Sequence, residues 1–532
     1  MTDPDDTAAT TPRPGPLRTG PTVTAVLLGS AVAVGIPFTG AAPVWAAVGG
    51  AVVAAATASP VRGRSLLERI GGRLRRTGAQ PQVDTFAWTT PDGGVIGLHR
   101  HRDLLTAVVE ILPRSGGFTT VATGRCEPDR AIPLATLARS LTGVDVELDG
   151  IDVICHGRRS MSSGTAGEVY RRLIGDLPIA AERSTWVVLT MSVPRNRRAV
   201  DRRGGRGGGA ARALSVTAAR MVTALSGDGL RARVLTAAEL DSVSRQIVTT
   251  DADPEVPDEA RGRALASATI DSSTLNAVWG LPEDSITTTI RLRPHRDRDR
   301  VLVAAGYLAR GRQPDGATHP ARSLPVPRGV AILSHLPATA TDHDRFAPFG
   351  ELPVAELGRI VVPAGAGGQL VGSDAAGAGV TARLFGRGVA RTYVAGELFV
   401  ALQLALRAIA IGGRLLVITD RPSAWQPLAR AVPDDQLTVE AAQTRPEGGL
   451  TRFDAVLLDG PYADPPEAAG TLIHVADDAA FWPVEDPDVT IVQPAPGDDR
   501  VVLTAGPRAV RLTLVTIAAE AEITGGLGAR RG

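Results

Sequence analysis

The sequence predicts an α/β protein: an N-terminal two-helix transmembrane hairpin followed by cytosolic α/β layers in two subdomains. Three observations carry this. Two long uncharged apolar runs lie near the start, at 21–38 and 43–60, with "TGAA" between them. Basic residues flank the pair on both outer sides and are absent from the turn. Beyond residue 82, short apolar runs with strand character alternate with helical patterns, which is the signature of layered α/β structure.

Each uncharged run has 18 residues or close to it, roughly 27 Å as helix, which just spans the hydrocarbon thickness of a bilayer. An isolated span must satisfy its backbone internally, so helix is the form expected. Ala and Gly are frequent in both runs and allow close helix–helix approach. Arg13 and Arg18 precede the first run. Arg62, Arg64, Arg69, Arg73, Arg75 and Arg76 follow the second, against one acid, Glu68. The positive-inside rule then places both termini in the cytoplasm and the turn outside, in the inner (cell) membrane. A cleaved signal peptide over 13–42 is the competing reading, and the second apolar run with the Arg cluster behind it speaks against it. A buried helical hairpin of a soluble domain is the other.

Around the hairpin, residues 1–20 form a Pro/Thr/Asp-rich disordered cytosolic tail. Residues 61–82 form a basic juxtamembrane linker, with Leu66, Leu67, Ile70 and Leu74 at helical spacing. The first cytosolic α/β domain is expected over 83–311. It opens with a hairpin in 93–114, turning within His99-Arg100-His101-Arg102-Asp103. A strand at 185–193, a loop rich in Arg and Gly at 194–212 and a helix stopped by Gly227 and Gly229 follow, then "RARVLTA" as a strand and "AELDSVSRQIV" as a helix. A second hairpin covers 285–311. The Pro/Gly/His/Arg-rich stretch 312–329 is read as a boundary, and the second α/β domain as 330–525. Its centre is a helix from Glu397 to Ile411, apolar on nearly every face, and "RLLVITD", a continuous apolar strand of the buried parallel kind. Ser423 is placed to start the next helix. "FDAVLLDGPY" is a further buried strand.

Composition narrows the chemistry. The chain has 532 residues, 44% apolar, and a net charge of +1, so no overall basic field points to nucleic acid. All 57 basic residues are Arg. The absence of Lys excludes a P-loop lysine, a Schiff-base lysine and a Ser-x-x-Lys nucleophile. Two cysteines, Cys126 and Cys155, make no disulfide framework and suit a reducing compartment.

Candidate sites sit at strand ends, where open α/β sheets bind ligands. Asp420 with Arg421, and Asp459 with Gly460 and Pro461, are the two. The bland reading is that each aspartate caps a turn or a helix. The Gly-rich 364–380 resembles a phosphate loop but lacks G-x-G-x-x-G between strand and helix, and tight turns with Ser373 and Asp374 fit it better. "RRGGRGGGAAR" without interleaved aromatics reads as a solvated loop. His99/His101 and Cys155-His156 have no partners at metal-ligand spacing. No catalytic residue, cofactor-binding residue or metal ligand emerges, and no cofactor is expected.

The uncharged hairpin with Arg behind it, "GLHRHRDLLTAVVEILPR", "RSTWVVLTMSVPRNRRAVDRRGG", "AARALSVTAARMVTALSGDGLRARVL", "LPVAELGRIVVPAGAGGQLVGSDAAGAGV" and "ALQLALRAIAIGGRLLVITDRPSAWQPL" together resemble the EccE family, a membrane component of the type VII (ESX) secretion system. The stretch built on Trp186 is the strongest part. The resemblance implies two N-terminal spans and a large cytosolic part. It implies partners in an inner-membrane complex, EccB, EccC and EccD, of which EccC is the ATPase. It carries over no catalytic residues. The long Lys-free, Ala/Gly-rich linkers depart from the family pattern. A non-enzymatic structural subunit of the secretion complex is therefore expected, in contact with the lipid bilayer and with no nucleic acid. The alternative is a membrane-anchored nucleotide-sugar or S-adenosylmethionine-dependent transferase with its site near Asp420 and Asp459.

Overall fold

A computed structural model describes residues 84–525, apart from 114–115, 144, 163, 206–207, 249–260, 312–322, 327, 338–343, 345–347, 365–366, 443–451 and 461–469. The tail, the hairpin and the basic linker expected over 1–82 lie outside the described residues. Among the described residues, no helix is long and apolar enough to cross a membrane. These residues are mixed α/β and mostly sheet, with strands gathered into sheets of 11 and 12.

The chain begins with a meander: β1 (Asp84–Thr89), β2 (Val95–His101) and β3 (Leu104–Leu112). The expected hairpin forms, but its turn is tighter than the polar run suggested. His99, Arg100 and His101 are in β2, and only Arg102 and Asp103 turn, with Arg102 at φ 53°. β4 (Phe118–Ala122) and β5 (Arg125–Glu127) then leave for the other sheet. α1 (Leu134–Arg139), β6 (Gly150–Arg158), α2 (Thr165–Ile174) and β7 (Glu182–Ser192) follow. Next come α3 (Arg197–Asp201), α4 (Gly208–Gly227), β8 (Arg231–Val234) and α5 (Ala237–Val248), the strand–helix–strand–helix unit expected. β9 (Arg261–Leu265), α6 (Ser272–Trp279), β10 (Ser285–Pro294), β11 (Arg300–Arg310), β12 (Ser323–Val326), α7 (Arg328–Leu333) and β13 (Gly350–Pro353) complete this part.

The first sheet runs β1-β2-β3-β7-β6-β10-β11-β9-β12, with β8 also paired to β3 and β13 to β11. Its pairs are antiparallel. α4 packs on β3 and β8, and its Ala213, Leu214, Ala218 and Leu225 are fully buried in the same apolar cluster as Leu105, Val109 and Leu189.

The second sheet takes β14 (Gln369–Ser373), β15 (Gly379–Ala382), β16 (Arg391–Ala395), β17 (Leu415–Thr419), β18 (Leu437–Ala441), β19 (Ala455–Asp459), β20 (Leu472–Ala476), β21 (Val489–Val492), β22 (Arg500–Ala505) and β23 (Arg508–Thr513). Its order is β18-β17-β19-β20-β16-β21-β22-β23-β14-β15-β4-β5. The first six are parallel to one another and the rest antiparallel. Strands from either side of 312–329 thus share the first sheet, and residues 118–127 belong to the second.

Among the described residues four helices serve the second sheet: α8 (Leu398–Ala410), α9 (Pro422–Ala431), α10 (Ala518–Thr524) and, from earlier in the chain, α2, which packs on α8. As expected from its composition, α8 is buried from Phe399 to Ala410. That burial includes two polar side chains, Gln403 and Arg407, each 1% exposed. Arg407 meets the equally buried Glu520 of α10 as a two-pronged pair, Nε to Oε1 at 2.8 Å and Nη2 to Oε2 at 2.9 Å. Its Nη1 donates to the carbonyls of Leu370 (2.8 Å) and Val371 (3.1 Å), and Gln403 Nε2 donates to Glu520 Oε2 at 3.1 Å. A planar guanidinium with five fixed donors is suited to such a site. The pair ties α8, α10 and β14 together through one buried charge couple.

The first sheet carries a buried histidine. His156 on β6 lies opposite Thr287 on β10, and its Nδ1 bonds Thr287 Oγ1 at 2.8 Å. Burial, with Arg158 and Arg310 nearby, lowers its pKa to about 3. The unfolded chain, with His near 6.5, takes up this proton first. The contribution is therefore intact above pH 6.5 and is lost as pH falls, by about 1.4 kcal/mol per unit until about pH 3. Between pH 6.5 and 4.5, urea titrations of wild type should lose about 2 kcal/mol more than those of His156→Gln. Equal slopes for the two proteins would refute this.

Candidate functional site

β17 and β19 are apolar and buried along their whole length, as central parallel strands must be. Their last residues, Thr419 and Asp459, are paired in register and both wholly buried. The chain then breaks away, Gly460 turning at φ 131°. Beyond the end of the neighbouring β17, Arg421 is the N-cap position of α9, and Pro422 takes the first helical place, where its missing N–H costs nothing. The expected helix is present, starting at Pro422, with Ser423 inside its first turn.

Asp459 is not a turn cap. Its Oδ2 accepts from Thr419 Oγ1 (2.8 Å), Arg421 Nε (3.0 Å) and Trp425 Nε1 (2.8 Å), and its Oδ1 accepts from Arg421 Nη2 (2.6 Å). A carboxylate offers about four lone-pair sites, and these donors fill them. The bonds to Asp459 in turn raise the pKa of the Arg421 guanidinium. Asp459 therefore anchors α9 to the end of the sheet.

Asp420, by contrast, is exposed. It lines a cavity of about 470 Å³ with Arg421, Gly460, His474, Asp477 and Trp482. Tyr393 supports this side from beneath, edge-on to His474 at 5.0 Å and 5.5 Å from Trp482. Burial lowers the His474 pKa, so at neutral pH the imidazole is uncharged. Asp420 and Asp459 thus share one cavity at the carboxyl ends of parallel strands.

The Gly-rich 364–380 is elsewhere. It forms the β14–β15 hairpin, and β20, β16, β21, β22 and β23 stand between it and β19. Asp374 Oδ1 accepts the N–H groups of Ala376 and Ala378, both at 2.9 Å, and Gly377 turns at φ 80°. This is the tight turn expected, not a phosphate loop. Two arginines of 194–212 are engaged within the fold: Arg195 with Asp149 at 2.8 Å, and Arg203 with Asp145, which Arg220 from α4 also approaches to 3.5 Å. His99 bonds Thr85 Oγ1 at 2.8 Å. Cys126 and Cys155 are buried free thiols. Among the described residues, no group of three His, Cys, Asp or Glu is placed to hold a metal.

One polar constellation escaped the sequence reading. Glu110 sits in the otherwise apolar β3, directly opposite Trp186 of β7 and Arg233 of β8. Arg233 bridges Glu110 at 2.5 Å and Glu239 of α5 at 2.8 Å. A lone acid in "LLTAVVEIL" was the available signal.

Trp186, Arg233 and Glu239 of this constellation lie in a segment that resembles known proteins. Residues 179–275, from just before β7 into α6, match the family described as "Putative type VII ESX secretion system translocon, EccE". Over this segment the chain is similar to the EccE family. The EccE relatives are distant but consistent. The ESX-5 secretion system protein EccE5 of Mycobacterium marinum is 26% identical over 319 residues, 54% of this chain and 76% of the relative. The ESX-2 secretion system protein EccE2 of Mycobacterium tuberculosis is 27% identical over 375 residues, 67% of this chain and 66% of the relative. The ESX-1 secretion system protein EccE1 of Mycolicibacterium smegmatis is 25% identical over 209 residues, 39% of this chain and less than half of the relative, 44%.

Proposed function

We propose that this chain is an EccE-family protein and a non-enzymatic structural subunit of the inner-membrane type VII (ESX) secretion complex. The hairpin at 21–60 anchors it with both termini in the cytoplasm, and the two α/β subdomains support export by contact with EccB, EccC and EccD. The observation that carries this is the EccE match over 179–275, together with relatives named for three different ESX systems. The state of Asp459 supports it: a carboxylate whose lone pairs are filled by Thr419, Arg421 and Trp425 is a poor general base.

The transferase alternative rests on one observation, the 470 Å³ cavity at the strand ends with Asp420 on its wall. Asp420→Asn separates the two readings. A structural subunit tolerates it, because the side chain is exposed and Asp459 keeps its own partners. In a strain lacking the native gene, the variant should restore secreted substrate per cell to near the wild-type level. A variant that is stably expressed and membrane-assembled but secretes nothing would replace the structural reading with the transferase one, since loss of a catalytic group costs orders of magnitude in rate.

A further inference from the structure

The loop 477–488 joins β20 to β21. Both strands run parallel to β16, so the loop must cross from the carboxyl ends of these strands back to their amino ends. Such a crossover is usually a helix. This one holds only the short turn Ala479–Phe481 and is a strap fixed by polar anchors. Asp478 Oδ1 accepts the Ala480 N–H at 2.8 Å, and the Tyr393 hydroxyl donates to the Glu485 carbonyl at 2.9 Å. Trp482 sits between these points, its ring 5.5 Å from that of Tyr393. The fastening leaves apolar side chains in water: Phe481 is 74% exposed and Val484 wholly so. Phe481 and Trp482 also line the 470 Å³ cavity, beside Val475, Ala476 and His474. His474 is 9% exposed, and among the described residues neither of its ring nitrogens has a hydrogen-bond partner. A buried polar group in that state calls for an explanation, such as a group that completes it.

The strap's charge is of one sign. It carries Asp477, Asp478, Glu485, Asp486 and Asp488, and the sequence holds no basic residue between His474 and Arg500. Asp488 is used within the fold, where it accepts the N–H groups of Ala390 and Arg391. Arg421 approaches Asp477 to 3.7 Å but is already bound by Asp459, and Arg391 approaches Glu485 to 3.4 Å. Asp478 and Asp486 have no cationic partner among the described residues. The strap therefore keeps a net negative charge beside its exposed apolar groups.

From this fixed, acidic and apolar strap we infer a docking surface for a protein partner, a segment in which arginine or lysine alternates with apolar side chains. The partner's apolar side chains cover Phe481 and Val484 and enter the cavity. Its cations meet Asp477, Glu485 and Asp486, and its backbone supplies the hydrogen bond that His474 lacks. Aromatic anchors beside a pocket are the usual energetic centre of an interface, and a pre-formed loop loses little entropy on binding. The same carboxylates repel an anionic membrane surface and a nucleic acid. A small cation held in the cavity would leave Val484 uncovered. The inference names a partner chemistry for a structural subunit and rests on that reading.

The test uses the full chain in an uncharged detergent. Fluorescence anisotropy follows a labelled peptide in which arginine and leucine alternate, the same peptide with glutamate in place of arginine, and competition by arginine amide. Saturable binding of the arginine peptide is expected, weakening as salt rises because exposed charges are screened. Phe481→Ser, at an exposed position, should weaken it roughly tenfold or more. Asp477→Asn combined with Asp486→Asn should weaken it about fivefold, the effect of losing two exposed ion pairs. No saturable binding, equal binding of the glutamate peptide, or an affinity unchanged in Phe481→Ser overturns the inference. So does competition by arginine amide at concentrations as low as the unlabelled peptide needs, since a small cation then fills the cavity. The assay has no secretion step, so failure of this surface and failure of the structural reading, which Asp420→Asn tests, are separate results.

Discussion

Glu520→Ala is expected to destabilise the described fold by about 3–5 kcal/mol, the largest stability effect of any single substitution considered for this chain. The substitution leaves the Arg407 guanidinium, 1% exposed, without its carboxylate. Water cannot reach it there, so the desolvation cost of the charge stands uncompensated. Gln403 loses an acceptor at the same time. The carbonyls of Leu370 and Val371 still accept from Arg407, but neutral acceptors do not replace a counter-charge. The double replacement Arg407→Met with Glu520→Met removes both charges together and should cost much less than Glu520→Ala alone, because buried ion pairs are often close to neutral against apolar residues of similar volume. Urea unfolding of the detergent-solubilised chain measures both, with the slope held constant as the check on a shared unfolded state. A double variant as unstable as the single one would mean that side-chain volume, not charge, matters at this point.

Deleting residues 21–60 should abolish substrate secretion and move the protein from the membrane to the soluble fraction. The two runs hold no charged residue over 21–38 or 43–60, and their hydrophobic lengths match a bilayer. Among the described residues no helix is long and apolar enough to cross a membrane. A subunit that works by contact inside a membrane complex depends on its effective concentration at that complex, and an anchor supplies this without any new contact surface. Substrate in the culture medium, measured in a strain lacking the native gene, gives the functional result, and fractionation gives the physical one. Secretion at the wild-type level from a soluble truncated chain would sink the anchor reading.

How much of the fold the chain reveals in one dimension depends on the range of the interaction. The hairpins at 93–114 and 285–311 were legible because both strands and the turn are contiguous. So was the β7–α4–β8–α5 unit, where Gly229, at φ 77°, ends a helix whose apolar face is periodic. α8 and β17 were legible because burial on all sides leaves an apolar run without alternation. β20 was not, since "LIHVA" is five residues with a histidine at its centre. The candidate cavity was half legible. Strand ends named Asp420 and Asp459, but the partners that make one of them a buried anchor, Arg421 and Trp425, come from the start of a helix whose orientation only the packed sheet fixes. The Glu110–Arg233 pair joins strands more than a hundred residues apart, and Arg407–Glu520 is separated by 113 residues in sequence. No local pattern encodes such distances.

The path of β4 and β5 has a consequence for the order of synthesis. This short hairpin leaves the ribosome directly after β3, yet its partner in the second sheet is β15, and Thr381 donates to the carbonyl of Thr119 across 262 residues. During translation β4 must wait, with its apolar Phe118 and Val121 uncovered, until β15 emerges. Such distant pairing makes closure slow and leaves an unpaired edge open to other chains meanwhile. It also means that neither sheet can be excised whole. A chain cut after β11 keeps β4 and β5 but has nothing to pair them with, and a chain begun at β14 lacks its outer two strands. Attempts to produce either half alone should yield aggregation-prone material, whereas a break placed in an exposed loop of the full-length chain, with both pieces synthesised together, keeps every strand its neighbour.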